Sequence, residues 1–117
     1  MKQILFIVRT APYGSAAIPE SVRSCLGFAT MPVEVHYLLT GDGAWALQPG
    51  QDPGGIGAQD TLAMIADLAD LDVRLYVEAE ALAARGLAVE GLDAPVEPLG
   101  ADQIADLIAT ADAVITY

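Results

Sequence analysis

The chain has 117 residues, sixteen acids against five bases for a formal charge of -11, and one cysteine. That length fits one domain with one core. The acidic balance and the absence of any Lys/Arg cluster exclude direct binding of nucleic acid through its phosphates, though not a basic protein partner. A lone cysteine excludes an internal disulfide and a cysteine-cluster metal site.

In chain order, "ILFIV" (Ile4 to Val8) is a continuous apolar run, as expected of a parallel strand covered on both faces. Five strongly apolar residues before Arg9 are too few for a signal-peptide core or a membrane span, so a cytoplasmic protein with no membrane contact is expected. After a Gly/Pro loop, Val22, Cys25, Leu26 and Ala29 fall at i, i+3, i+4, i+7 and predict a helix. "VEVHYLL" (Val33 to Leu39) predicts the second strand, followed by the loop "TGDG" and the turn-rich "QPGQDPGG". Leu62, Ile65, Ala66 and Ala69 predict a second helix. In the third strand, "DVRLYV" (Asp72 to Val77), Arg74 and Tyr76 alternate with apolar residues, so one face of it is expected to be less covered.

The helix after Val77 stops at Gly86, directly behind Arg85. A short, proline-limited extended piece follows around Val96. Ile104, Leu107, Ile108 and Ala111 predict the last helix, and "AVITY" the last strand. Alternating strands and helices on this spacing predict an α/β fold: a three-layer, mostly parallel five-stranded sheet, as one domain over residues 1–117.

In such sheets, ligands meet the carboxyl ends of the strands. Four segments lie there: "RTAPYGSA", "TGDGAW", "EAEA" and the stretch ending at Tyr117. Thr10, Gly14 and Ser15 precede a helix and offer a phosphate cradle, but neither "RTAPYGSA" nor "GGIGAQD" satisfies a P-loop or dinucleotide fingerprint. Asp42, between Gly41 and Gly43, suits a turn that holds its own loop, or a cleft acid. Tyr13 and Trp45 are the candidate contact aromatics, with Trp45 alternatively tucked under its loop. His36, inside a strand and without a second histidine or a serine to complete a catalytic set, reads as a packed or interface residue. No residue set points to a metal or a cofactor.

Taken together, "TAPYGSAA", "GDGAWALQPGQDP", "YVEAEALAARGL" and the terminal "DAVITY" resemble the DsrE/DsrF/DsrH (TusBCD) sulfur-relay family, in its TusC/DsrF-like branch. The "DG…L.PGQ" and "A..RGL" segments are the most specific parts, and the likeness spans nearly the whole chain. The resemblance implies a three-layer subunit of a ring or stacked trimer that passes persulfide sulfur from an upstream sulfurtransferase to tRNA 2-thiouridine synthesis or to cytoplasmic sulfur oxidation. It implies paralogous DsrE/TusD-like and DsrH/TusB-like partners, or self-association. It also implies that the accepting cysteine of active subunits stands at the end of the strand before the "A..RG" helix, which is Glu78 here.

A carboxylate cannot replace a polarisable thiolate in sulfur transfer. Glu78 is then a helix-start residue favoured by the helix dipole, or an acid that steers a partner's cationic group. Cys25 lies on the apolar stripe of the first helix, where a free cysteine packs as a small hydrophobe; it is the only candidate for a substitute carrier. Three classes therefore stand: a non-catalytic subunit of a sulfur-relay complex, a carrier using Cys25, and a homo-oligomeric module binding a nucleotide or another small molecule. About 60% of the chain is apolar when glycine is counted and tyrosine left out, against an ordinary ~45–50%. Twenty-one alanines contribute much of that excess, which fits a buried subunit interface.

Overall fold

In a computed structural model, which describes residues 1–90, 92 and 94–117, five strands form one parallel sheet. The strands are β1 (Lys2–Val8), β2 (Val33–Leu39), β3 (Arg74–Glu78), β4 (Val96–Leu99) and β5 (Ala113–Thr116), in the spatial order β4-β3-β2-β1-β5. The helices are α1 (Ala17–Ala29), α2 (Thr61–Ala69), α3 (Ala79–Arg85) and α4 (Ala101–Thr110). The stretch after β2, expected as loop and turns, contains two 3-10 helices, Gly41–Leu47 and Pro53–Ile56.

Local chemistry sets the helix ends. The Asp60 carboxylate accepts the free N–H groups of Leu62 and Ala63 at 2.9 and 3.2 Å and starts α2. Gly86, at φ 65°, ends α3 and lets the Leu87 N–H reach back to Leu82 O at 3.0 Å. At α4 the Gln103 side chain turns back to accept the Gly100 N–H at 2.9 Å.

The sheet is covered unequally. The chain steps from β1 to β4 in one direction, so right-handed connections put α1, α2 and α3 on one face. There Phe6, Tyr37, Leu39, Ile65, Leu68 and Val77 form the main core, and Phe28 meets Phe6 edge-on at 5.9 Å. The return from β4 to β5 reverses direction and puts α4 alone on the other face, over Leu5, Ile7 and Leu38. β3 shows the consequence: Leu75 and Val77 are buried, while Arg74 is exposed and Tyr76 only half-buried.

Two helix stripes differ from expectation. On α1 the buried residues are Ile18, Ser21, Val22 and Cys25, and Leu26 is 39% exposed, on the side of the helix that borders a shallow groove against α2. On α4 only Ile104, Leu107 and Ala111 meet the sheet, and Ile108 is 42% exposed. Ser21 enters the core only because its hydroxyl is satisfied by Ile18 O at 2.7 Å and the Tyr37 hydroxyl at 2.8 Å.

Candidate functional site at the strand ends

Two of the candidate residues, Glu78 and Asp42, tie the turn after β2 to β3 and α3, and a third, Trp45, lies on that turn. Glu78 closes β3 and occupies the N-cap position of α3, yet its side chain makes no capping bond to α3. Oε1 instead accepts the Gly41 N–H at 3.0 Å, across to the turn after β2. Asp42 does not hold its own turn. Its Oδ1 accepts Arg85 Nη2 at 2.8 Å, tying the same turn to the last residue of α3. Arg85 is the more covered partner, and its Nη1 also donates to Ala81 O at 3.2 Å. Trp45, half-buried, sits on the Gly41–Leu47 helix, flanked in sequence by the buried Ala44 and Ala46.

The two glycines around Asp42 serve different ends. Gly41 has φ 52°, a left-handed conformation that glycine adopts without strain. Gly43 is not left-handed; a Cβ there would stand 2.4 Å from Val8 O. The turn thus packs directly on the end of β1, whose Val8 O also accepts the Thr40 N–H at 2.9 Å.

Tyr13 belongs to a neighbouring set. Its hydroxyl bonds the Gln51 side chain and accepts the Thr61 N–H at 3.4 Å. Gln51 in turn accepts from Thr61 Oγ1 at 2.9 Å and donates to Ala46 O at 2.9 Å and Gln48 O at 2.7 Å. One glutamine therefore stitches the loop after β1 and the start of α2 to the turn after β2. Gly14 is exposed at φ 94°, with open space around it. Arg85 and Gln51 brace the rim without having been candidates on the sequence, although Gln51 lies inside the "PGQ" segment.

Cys25 stands apart from this rim. It is fully buried under α1, and burial pushes its thiol from 9.0 up to about 12. Among the described residues no three His, Cys, Asp or Glu side chains gather as a metal site, and no helix is long and apolar enough to cross a membrane. A groove of about 510 Å³ opens at the opposite end of β3, between Asp72, Arg74, Tyr76 and Glu97, far from the strand-end rim.

The rim is therefore a braced platform. Its acids are committed to a backbone amide and a guanidinium, and it presents no thiol. Without a thiolate, its side chains offer no nucleophile that could carry sulfur as a persulfide.

The comparisons place the fold and the lineage. The crystal structure of the ychN protein from E. coli superposes with a TM-score of 0.87 over 100% of both chains at 24% identity, a likeness of fold. A TusC homolog of Vibrio parahaemolyticus is 32% identical over 119 aligned residues and 100% of both chains. A TusC homolog of Pseudomonas aeruginosa is 34% identical over 116, covering 98% of each. The intracellular sulfur oxidation protein DsrF of Allochromatium vinosum is 30% identical over 132, covering 100% of this chain and 97% of its own. The model of the DsrE/DsrF-like family matches residues 2–117, and the chain belongs to that family.

Proposed function

We propose that this chain is a non-catalytic subunit of an intracellular sulfur-relay complex that handles persulfide sulfur for tRNA 2-thiouridine synthesis or for sulfur oxidation. Its partners are paralogous DsrE/TusD-like and DsrH/TusB-like subunits, one of which carries the accepting cysteine, and an upstream sulfurtransferase loads the assembly. The observation that carries this reading is Glu78. It occupies the strand-end position at which the family resemblance puts the accepting cysteine, and its carboxylate is engaged with Gly41 N–H. Support also comes from full-length relatives named TusC and from one named for intracellular sulfur oxidation. The Cys25 alternative loses ground because a fully buried thiol with its pKa near 12 is neither reachable nor ionised.

Native mass spectrometry of the tagged chain drawn from its host, with every bound subunit sequenced, tests the proposal. The expected result is a complex with small subunits of similar fold, one bearing a strand-end cysteine that gains sulfur from polysulfide while this chain gains none. A chain recovered with no such subunit overturns the proposal.

A further inference from the structure

The thinly covered face of the sheet carries a polar stripe across four strands. The registers set Gln3 of β1 beside Glu34 of β2, His36 beside Arg74 of β3, and Tyr76 beside Glu97 of β4. Alternation along each strand puts Glu34 with His36, and Arg74 with Tyr76, on the same side.

Two nitrogens of this stripe share one oxygen. Glu34 Oε1 lies 3.2 Å from Arg74 Nε and 3.3 Å from His36 Nε2, while Oε2 accepts the Gln3 side-chain amide at 3.4 Å. The two sharers differ in exposure. His36 is only 5% exposed, and its Nε2 has no hydrogen-bond partner among the described residues, whereas the Arg74 side chain is 64% exposed.

Arg74 also has a second place to go. It is the wall common to three hollows: one of about 340 Å³ with Glu34, His36, Tyr76 and, from α4, Asp106; one of about 430 Å³ with Glu34 and Asp72; and the groove of about 510 Å³ with Asp72 and Glu97. Glu97 stands diagonally across the β3–β4 pair from Arg74, a separation that a long side chain spans. It has no ion-pair partner among the described residues.

We propose that His36 and Arg74 form an acid-operated switch: when His36 gains a proton it takes Glu34 Oε1, and the Arg74 guanidinium leaves Glu34 for the groove beside Glu97. Burial decides which cation keeps the carboxylate. A buried imidazolium without a counter-charge bears its full desolvation cost, while an exposed guanidinium stays solvated wherever it points. An exposed ion pair contributes little and is readily given up. Protonated His36 has a donor for each neighbour, Nδ1–H for the Tyr76 hydroxyl 3.1 Å away and Nε2–H for Glu34. Two positive groups on one oxygen repel each other, and of the two only the exposed Arg74 can retreat into solvent.

The groups that face the ring are Glu34 from its own strand, Arg74 and Tyr76 from β3, and Asp106 from α4, with Glu97 beyond Tyr76. By the sign of their charges Glu34 and Asp106 favour the protonated ring and Arg74 opposes it. Tyr76 remains a neutral phenol, since burial holds its pKa above the ordinary value. In the acid form Glu34 is neutralised by His36 and the guanidinium has moved from the β2 side toward β4, so the charge pattern of the uncovered sheet changes with pH.

The switch does not rest on the sulfur-relay reading, and its failure leaves that reading standing. The test is nuclear magnetic resonance of the isotope-labelled full chain, titrated from about pH 7.5 to about pH 5, across the range of an ordinary histidine. It follows the His36 ring nitrogens, Glu34 Cδ, and the Overhauser contacts from the Arg74 side chain to the Glu34 and Glu97 methylenes. As the ring protonates, the Arg74–Glu34 contact is expected to weaken about tenfold and the Arg74–Glu97 contact to grow, both with the midpoint of the ring. In His36→Gln, whose amide carries no charge, the Arg74–Glu34 contact is expected to persist through the same interval.

A contact that survives protonation of the ring overturns the proposal, as does a ring that stays neutral until the chain unfolds. Release that follows Glu34 Cδ instead of the ring, or that occurs equally in His36→Gln, overturns it too, and so does release with no approach to Glu97. If His36→Gln does not fold, the midpoints in the unaltered protein decide: coincidence of ring and Arg74 signals upholds the switch, and separate midpoints sink it.

Discussion

The carboxylate of Glu78, at the end of β3, accepts the backbone N–H of Gly41 at 3.0 Å, so the residue that stands where a sulfur-accepting thiol is expected anchors the neighbouring turn. The bond is charge-assisted and spans 37 residues of chain. Glu78→Ala leaves the Gly41 N–H without its partner and is expected to cost about 1–2 kcal/mol, with Glu78→Gln, which keeps an acceptor oxygen, costing less than half of that. Urea unfolding of the three chains, with amide exchange read at Gly41, checks this. Equal midpoints for Ala and wild type would show that the contact tethers nothing.

Gly43 is the tightest point of the rim. A methyl group there stands 2.4 Å from the Val8 carbonyl oxygen, a backbone atom that cannot swing aside as a flexible side chain would. Gly43→Ala is therefore expected to force the Gly41–Leu47 turn off β1 at a cost of roughly 2–4 kcal/mol, whereas Gly55→Ala, with open space and no positive φ, stays within about 0.5 kcal/mol of neutral. Thermal unfolding of both variants side by side provides the comparison, and a Gly43→Ala chain as stable as wild type would refute the close approach.

Cys25 has a pKa of about 12, against 9.0 for the free thiol. At pH 8 its thiolate fraction is on the order of 10⁻⁴, and the side chain is fully buried. A thiol reagent is expected to label the folded protein only as fast as it unfolds, and incubation with polysulfide should add no sulfur to the intact mass. Prompt labelling without denaturant, or a sulfur adduct lost in Cys25→Ser, would restore Cys25 as a carrier. The same shift makes the folded state favour the neutral thiol. That contribution is complete below pH 9.0 and is lost as pH rises from 9.0 toward about 12.

Periodicity read the strands well, because each is a short apolar run with its pleat written into the residues. β2 was legible to the residue, and the exposed Arg74 and half-buried Tyr76 of β3 followed from their alternation with Leu75 and Val77. The helix stripes were legible only to within one residue. An i, i+3, i+4 pattern fixes a face but not its tilt against the sheet, and Leu26 and Ile108 fell on the wrong side of that margin. The rim was legible in position but not in its bonds. Nothing local pairs Asp42 with Arg85, 43 residues away, or brings Tyr13, 38 residues away, to Gln51; such partners exist only once the strands set the loops side by side.

His36 gives the last prediction. It lies on the thinly covered face of the sheet, stacked on Tyr76 with ring centroids 5.6 Å apart, and its Nδ1 is 3.1 Å from the Tyr76 hydroxyl. Nε2 is buried 3.3 Å from Glu34 Oε1, without the alignment of a hydrogen bond, and Glu34 is shared with Arg74 Nε at 3.2 Å and Gln3 Nε2 at 3.4 Å. From α4, Asp106 faces the same recess. Burial lowers the imidazole below its ordinary 6.5; Glu34 opposes that shift and Arg74 adds to it, and the net direction is down. The folded state thus prefers neutral His36, and between 6.5 and the lowered folded value the unfolded chain binds the extra proton. Stability from this residue is complete above pH 6.5 and declines on acidification through that interval, with a slope of at most about 1.4 kcal/mol per pH unit for one proton. Urea unfolding of wild type and His36→Gln from pH 7.5 to 5 separates this from carboxylate titration. The wild type is expected to lose more stability on acidification than the variant. Parallel curves would mean that His36 titrates alike in both states, and an opposite difference would mean that Glu34 outweighs burial.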